Sequence, residues 1–150
     1  MLKKNLKPDW DYLYDRDVEQ LGNIFEYAYK QGYCMSELVP KFMNSSLRRA
    51  MDDWHPQLTN GPIQVVLRKF IEDFGPISKS DEYYPLNCMK WVGMAYAYLS
   101  YYLNMSSVEI YKLVPFEKMV DNYTTGHERS FTSFAEKFIA DYNRCVADNS

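Results

Sequence analysis

The stretch 86–103 constrains this chain most, because wound as a helix it is apolar on almost every face. Such a helix must be covered all round, by other helices or by lipid. Its longest mainly apolar run, residues 91–103, is thirteen residues, where a membrane span needs about 20. The stretch therefore reads as the central helix of a bundle. One stripe of it is small: Gly93, Ala97, Ser100 and Asn104 recur at i, i+4, i+7 and i+11. That spacing puts them on one side, where another helix backbone can approach closely. The remaining stripes are bulky, with Trp91, Tyr98 and Tyr102 on one and Val92, Tyr96, Leu99 and Leu103 on the other.

The flanking segments carry ordinary amphipathic patterns. Asp17 is placed to cap a helix whose Val18, Leu21, Ile24, Phe25 and Ala28 form a stripe, ended by Gly32. A short helix starts at Ser36 with Leu38, Val39 and Phe42 inward and Pro40 in its first turn. A second, 47–54, follows an Asn44 or Ser45 cap and ends at His55-Pro56. Pro62 opens a helix with Ile63, Val66, Leu67, Phe70, Ile71 and Phe74 inward, closed by Gly75-Pro76. Ser106 and Glu109 form a capping box. Pro115 starts a segment holding Phe116, Met119, Val120 and Tyr123, stopped by Gly126. From Ser130, Phe131, Phe134, Ala135, Phe138, Ile139 and Tyr142 recur at helical spacing. The predicted fold is all-α: one domain over residues 1–150, a compact bundle of about seven helices around the buried central helix 86–103. Residues 1–14 read as a lead-in segment and 146–150 as a frayed tail.

Charge and composition narrow the function classes. A chain of 150 residues needs no disulfide to hold a core. A net charge of −3 repels phosphate on average, so nucleic acid is not an expected partner of the chain alone. Cys34, Cys88 and Cys145 are scattered and fit reduced thiols. The opening, Met1-Leu2-Lys3-Lys4-Asn5-Leu6-Lys7-Pro8, has positive charge without the apolar stretch of a secretory signal. The expected location is cytoplasmic. Tyrosine alone contributes 14 residues; their helical spacing favours a core built on rings over a sticky surface.

The chemistry-bearing residues form no familiar constellation. His55 and His127 are far apart, and no spacing of His or Cys suits a metal. Glycine-rich phosphate loops and a serine elbow are missing from the sequence. His127 beside Glu128 fits an acid–base pair less well than a turn before the last helix. Cys88, among Leu86, Met89 and Trp91, reads as a small core hydrophobe rather than a reactive thiolate. The carboxylates Asp15, Asp17, Asp52 and Asp53 read as solvated helix ends, and Arg48-Arg49 with Asp52-Asp53 as a solvated face. The expectation is no catalytic, cofactor-binding or metal-binding residue, and no enzyme. A rival reading takes the turn within 99–113 as a helix-turn-helix, with Ile110 inward. Its reading helix would offer only Lys112, beside Glu109 and cut short by Pro115.

From about Tyr83 to Tyr142 the chain resembles a loosely defined group of small helical proteins of Gram-positive bacteria and their mobile elements, encoded beside toxin–antitoxin-type genes. The likeness lies in Met89-Lys90-Trp91-Val92-Gly93-Met94-Ala95-Tyr96-Ala97-Tyr98-Leu99, then Ser106-Ser107-Val108-Glu109-Ile110-Tyr111, residues 115–119, and Tyr123-Thr124-Thr125-Gly126-His127-Glu128. Phe42-Met43-Asn44-Ser45 ahead of Gly61-Pro62 is a fainter echo. The resemblance implies genomic company rather than a mechanism, and carries no catalytic residue. It makes a non-catalytic, antitoxin-like module the expected function, one that masks or modulates a partner by direct contact. The partner would be another protein, such as the product of a neighbouring toxin-like gene. The alternatives are the helix-turn-helix regulator and a phage- or plasmid-encoded inhibitor of a host defence enzyme. Candidate partner-binding residues, at the expected edge of the core, are Trp54, Tyr123 and His127.

Overall fold

A computed structural model describes residues 1–7, 10–52 and 62–149, with 10–16 as backbone alone. Among the described residues eight helices follow one another, one more than expected: α1 (Trp10–Lys30), α2 (Met35–Met43), α3 (Ser46–Asp52), α4 (Ile63–Phe74), α5 (Cys88–Leu103), α6 (Ser107–Leu113), α7 (Phe116–Gly126) and α8 (Phe131–Asp148). The described residues form no strand beyond one isolated bridge, Tyr33 to Lys79, which pins the loop after α4 against the turn after α1. The chain is all-α, as its patterning predicts.

α5 is the buried axis, with every residue but Lys90 and Met94 buried. Its small stripe meets α1 at a glycine-on-glycine crossing. A Cβ on Gly93 would stand 2.6 Å from the Leu21 carbonyl oxygen and 2.8 Å from the Gly22 Cα. A Cβ on Gly22 would stand 2.7 Å from the Lys90 carbonyl oxygen. Glycine inside a helix costs about 0.5–1 kcal/mol relative to alanine, so two facing each other mark a contact that depends on backbone proximity. Around the crossing Leu21, Ile24, Phe25 and Ala28 are fully buried, each large side chain contributing about 1.5–3 kcal/mol. Tyrosines complete the core as expected. Tyr96 is fully buried and donates its hydroxyl to the Val114 carbonyl at 2.7 Å.

The element ends differ from expectation where distant residues supply the caps. α1 starts at Trp10, so Asp17 is not its cap but lies two turns inside it. α2 starts at Met35, one residue early, because Glu82 from the loop after α4 accepts the Met35 N–H at 2.7 Å. Pro40 thus falls at the sixth position of α2 rather than in its first turn, where burial of Leu38, Val39, Phe42 and Met43 offsets its missing bond. The first seven residues are not a loose lead-in. Asn5 and Lys7 donate their N–H groups to the Tyr102 and Tyr101 carbonyls at 2.8 Å, capping the end of α5. Lys4 and Lys7 stand over the Tyr102 and Tyr101 rings, at 5.7 and 5.0 Å. Cations there also suit the negative end of the α5 dipole. The Leu2 backbone pairs both ways with the Asn143 amide at 2.8 Å, tying this strap to α8. α8 itself continues to Asp148, through residues expected to fray.

The largest departure is electrostatic. Arg48 and Asp52 do not form a solvated face. Arg48 is 1% exposed and lies 3.5 Å from both Asp17 of α1 and Asp52 of its own helix. Its Nε donates to the Ser107 hydroxyl at 2.9 Å, which in turn donates to Asp52 at 2.8 Å, while the Ser107 N–H takes the other Asp52 oxygen at 2.9 Å. Burial weakens the Arg48 charge, and the two carboxylates outweigh that effect, holding its proton more tightly than usual. Lys7 adds a cation at the rim by donating to the Asp52 carbonyl at 3.4 Å. One clamp therefore joins α1, α3 and α6. Such a network adds little net stability when whole, but breaking it leaves buried charge uncompensated.

Candidate functional site

Two surfaces of α7 stand out, and both follow from how that helix is seated. Phe116 and Met119 are buried and fix its inner face. Gly126 does not end α7 by turning left-handed, as expected of a stop glycine. It makes room for Trp91, whose ring carbon would lie 2.7 Å from a Cβ there, and His127 continues the helical conformation. Trp91 in turn stacks on Phe131 and meets Phe134 edge-on. This aromatic cluster anchors the start of α8.

The first surface is a ledge made by two of the three candidate residues. Tyr123 is half-buried, edge-on to Trp91 with centroids 5.8 Å apart, and donates its hydroxyl to the Leu86 carbonyl at 2.9 Å. His127 lies exposed and stacks on the Tyr123 ring at 4.2 Å. Its Nδ1 is engaged by the Tyr123 carbonyl, and among the described residues no hydrogen bond joins it to Glu128. Beside them the Leu86 side chain is 81% exposed, and Tyr83 in the same loop is 84% exposed. The third candidate, Trp54, lies outside the described residues, as does the helix end at His55-Pro56. Leu86 and Tyr83 were not singled out in the sequence, since Leu86 reads as the first turn of the central helix; α5 starts two residues later, at Cys88.

The second surface is a groove of about 680 Å³ between α7 and α8. The two helices splay from the turn that joins them and do not pack along their lengths. α8 rests on α5 through Phe131 and the buried Phe134 and Ala135. Beyond that point Phe138 and Ile139 are half-buried against the core, as the periodicity suggests, while the end of the stripe turns into the groove. Phe138, Tyr142 and Val146 line one wall, and Lys118, Asn122 and Thr125 of α7, with Arg129 of the turn after it, line the other. Tyr142 stacks on Phe138 at 6.4 Å, and Val146 is 43% exposed. On the rim Lys137 contacts Asp141 at 2.6 Å and, with Arg144, holds that carboxyl below its usual range. Tyr123 and His127 lie on a different face of α7, so ledge and groove are separate.

The remaining candidates are placed in the core or the clamp. Cys88 is fully buried, and burial pushes its thiol up to about 11, which removes thiolate character at neutral pH. Asp17 and Arg48 are buried within the clamp, and Asp52 lies at its edge, bonded to Ser107. Among the described residues no three His, Cys, Asp or Glu side chains converge as metal donors, and no helix is long and apolar enough to cross a membrane. The 99–113 turn is a left-handed Asn104 followed by the predicted capping box, Ser106 accepting the Glu109 N–H at 3.2 Å and Glu109 the Ser106 N–H at 3.1 Å. Comparison with family models, with curated proteins and with solved structures returned no match.

Proposed function

We propose that this chain is a non-catalytic, antitoxin-like protein-binding module of the cytoplasm that masks or modulates a partner protein by direct contact. The observation that carries the reading is the ledge: Tyr123 and His127 stacked on each other, with Tyr123 bonded to the backbone of a Leu86 that is 81% exposed. Exposed apolar side chains grouped together mark binding surfaces. Tyrosine is suited to such contacts, because it buries much area while losing few rotamers. The resemblance to proteins encoded beside toxin–antitoxin-type genes supplies the kind of partner, the product of a neighbouring toxin-like gene. A helix-turn-helix role has weaker support: the first N–H of α6 and the Ser107 hydroxyl, which would face bases, are held inward by Asp52.

The test is co-expression with the adjacent gene product, followed by size-exclusion chromatography and growth rescue. A stable complex should form, and Tyr123→Ala should weaken it by about 30-fold, the size of a hot spot near 2 kcal/mol. Leu86→Ser and His127→Ala should weaken it less, with unchanged melting, which separates contact from folding. A neighbour that is harmless and never co-elutes removes the antitoxin reading. A sequence-specific gel shift by the chain alone, abolished by Lys112→Ala, would put DNA binding in its place.

A further inference from the structure

We infer that the α7–α8 groove is a docking site for an acidic amphipathic helix of a partner protein, a proposal that rests on the protein-binding reading but concerns a surface apart from the ledge. Three features of the groove define its occupant. Its apolar wall is built from one stripe of a helix, Phe138, Tyr142 and Val146, spaced at i, i+4 and i+8. That spacing matches anchors on a second helix laid alongside, at i, i+3 or i+4, and i+7. The α8 wall from Phe134 to the Asn149 cap spans about 22 Å, so the groove suits a helix of roughly 14 residues. The third feature is charge. In a chain of net charge −3, this groove is lined by three cations, Lys118, Arg129 and Lys137, against one anion, Asp141.

That anion is already answered, since Lys137 and Arg144 both contact it, at 2.6 and 2.8 Å. Among the described residues neither Lys118 nor Arg129 is in an ion pair. Arg129 donates to the neutral Ser133 hydroxyl at 3.3 Å. Two cations without a carboxylate thus stand on the rim of an apolar trough, and they select carboxylates flanking an apolar stripe. A second copy of this chain fits less well. Its own groove would bring the same cations face to face, and the like charges repel.

The test uses the full chain and a defined probe: a yeast-displayed library of helix-forming peptides of about 14 residues, randomised at every position. Sorting should enrich peptides of net negative charge with apolar residues at i, i+3 or i+4, and i+7. Their affinity should fall by at least about tenfold on Val146→Asp, and by a similar factor on the double change Lys118→Glu and Arg129→Glu, with melting unchanged. Enrichment of neutral or basic peptides, enrichment of none, or full binding to the Val146→Asp chain overturns the proposal. So does a dimer in light scattering that Val146→Asp turns into a monomer, since a second copy then fills the groove. In any of these cases, capture of the neighbour-encoded partner by the Val146→Asp chain leaves the protein-binding reading standing, with only the groove assignment lost.

Discussion

The α1–α5 crossing and the α7–α8 end are built from the same kind of sequence and finish in opposite states. In both, apolar residues recur at i, i+3, i+4 and i+7 along a helix. At the crossing every stripe finds a cover: Gly22 lies on Gly93, and Leu21, Ile24 and Phe25 have no exposure. At the other end α8 is buried at Phe134 and Ala135, with Phe131, Phe138 and Ile139 half-buried against the core. Three of its later apolar residues, Phe138, Tyr142 and Val146, face an open groove. Periodicity specifies which face of a helix is apolar. It does not specify whether a neighbour of the right length and direction arrives to cover that face.

Substitutions should separate the two regions by the size of their effect on stability. The largest loss is expected for Arg48→Met, which leaves Asp17 and Asp52 buried without their counter-charge. Breaking a buried pair in this way costs about 3–5 kcal/mol, readable in denaturant melts. Gly93→Ala should follow with about 1–3 kcal/mol, since its Cβ meets α1 backbone rather than a yielding side chain. Were Gly93→Ala to melt like the parent, α1 and α5 would not be in backbone contact. Tyr96→Phe should cost about 1–3 kcal/mol by leaving the Val114 carbonyl without its buried donor.

Acid sensitivity gives a smaller signal. Burial raises the Glu82 carboxyl, but hydrogen bonds from Ser36, the Met35 N–H and Tyr84 outweigh it, and its pKa lies below the usual 4.5. A folded-state pKa below the unfolded one gives stability that is present above pH 4.5 and lost as pH falls through the lower value. Glu82→Gln should therefore flatten the fall in stability on the acid side of pH 4.5; an unchanged acid limb would mean that Glu82 does not cap α2. The smallest effect belongs to the open end. Val146→Asp should shift stability by no more than about 0.5 kcal/mol, as for a surface position.

Much of the fold was legible because its signals are local. The central helix, the capping box at Ser106 and Glu109, and the Ser130 start of α8 all rest on residues within a few positions of one another. The illegible parts join distant segments. Asp17 looks like a cap when read beside Val18, and only the fold sets it 3.5 Å from Arg48. One sign was present: Asp17 shares the i, i+4, i+7, i+11 stripe of Leu21, Ile24 and Ala28, where a solvated cap would not lie. Gly22 was equally hidden, since a lone glycine has no period of its own. Of the candidate site, Tyr123 and His127 were found at the expected edge of the core. Leu86 and Tyr83 were missed because exposure of an apolar residue is decided by where the neighbouring helix starts, not by its type. The basic groove was missed because Lys118, Arg129 and Lys137 are brought together only by the splay of two helices.

Native-state hydrogen exchange on the full chain, alone and with a sorted acidic peptide, tests the contrast most directly. In the free chain the amides of α5 should open only with global unfolding, while those of residues 138–149 exchange at least about 100-fold faster. Adding the peptide should slow exchange in residues 118–129 and 134–149 and leave α1 and α5 unchanged. If the end of α8 is as protected as α5 in the free chain, or the peptide protects some other surface, then the groove is not an open docking site and the contrast between the two ends is wrong.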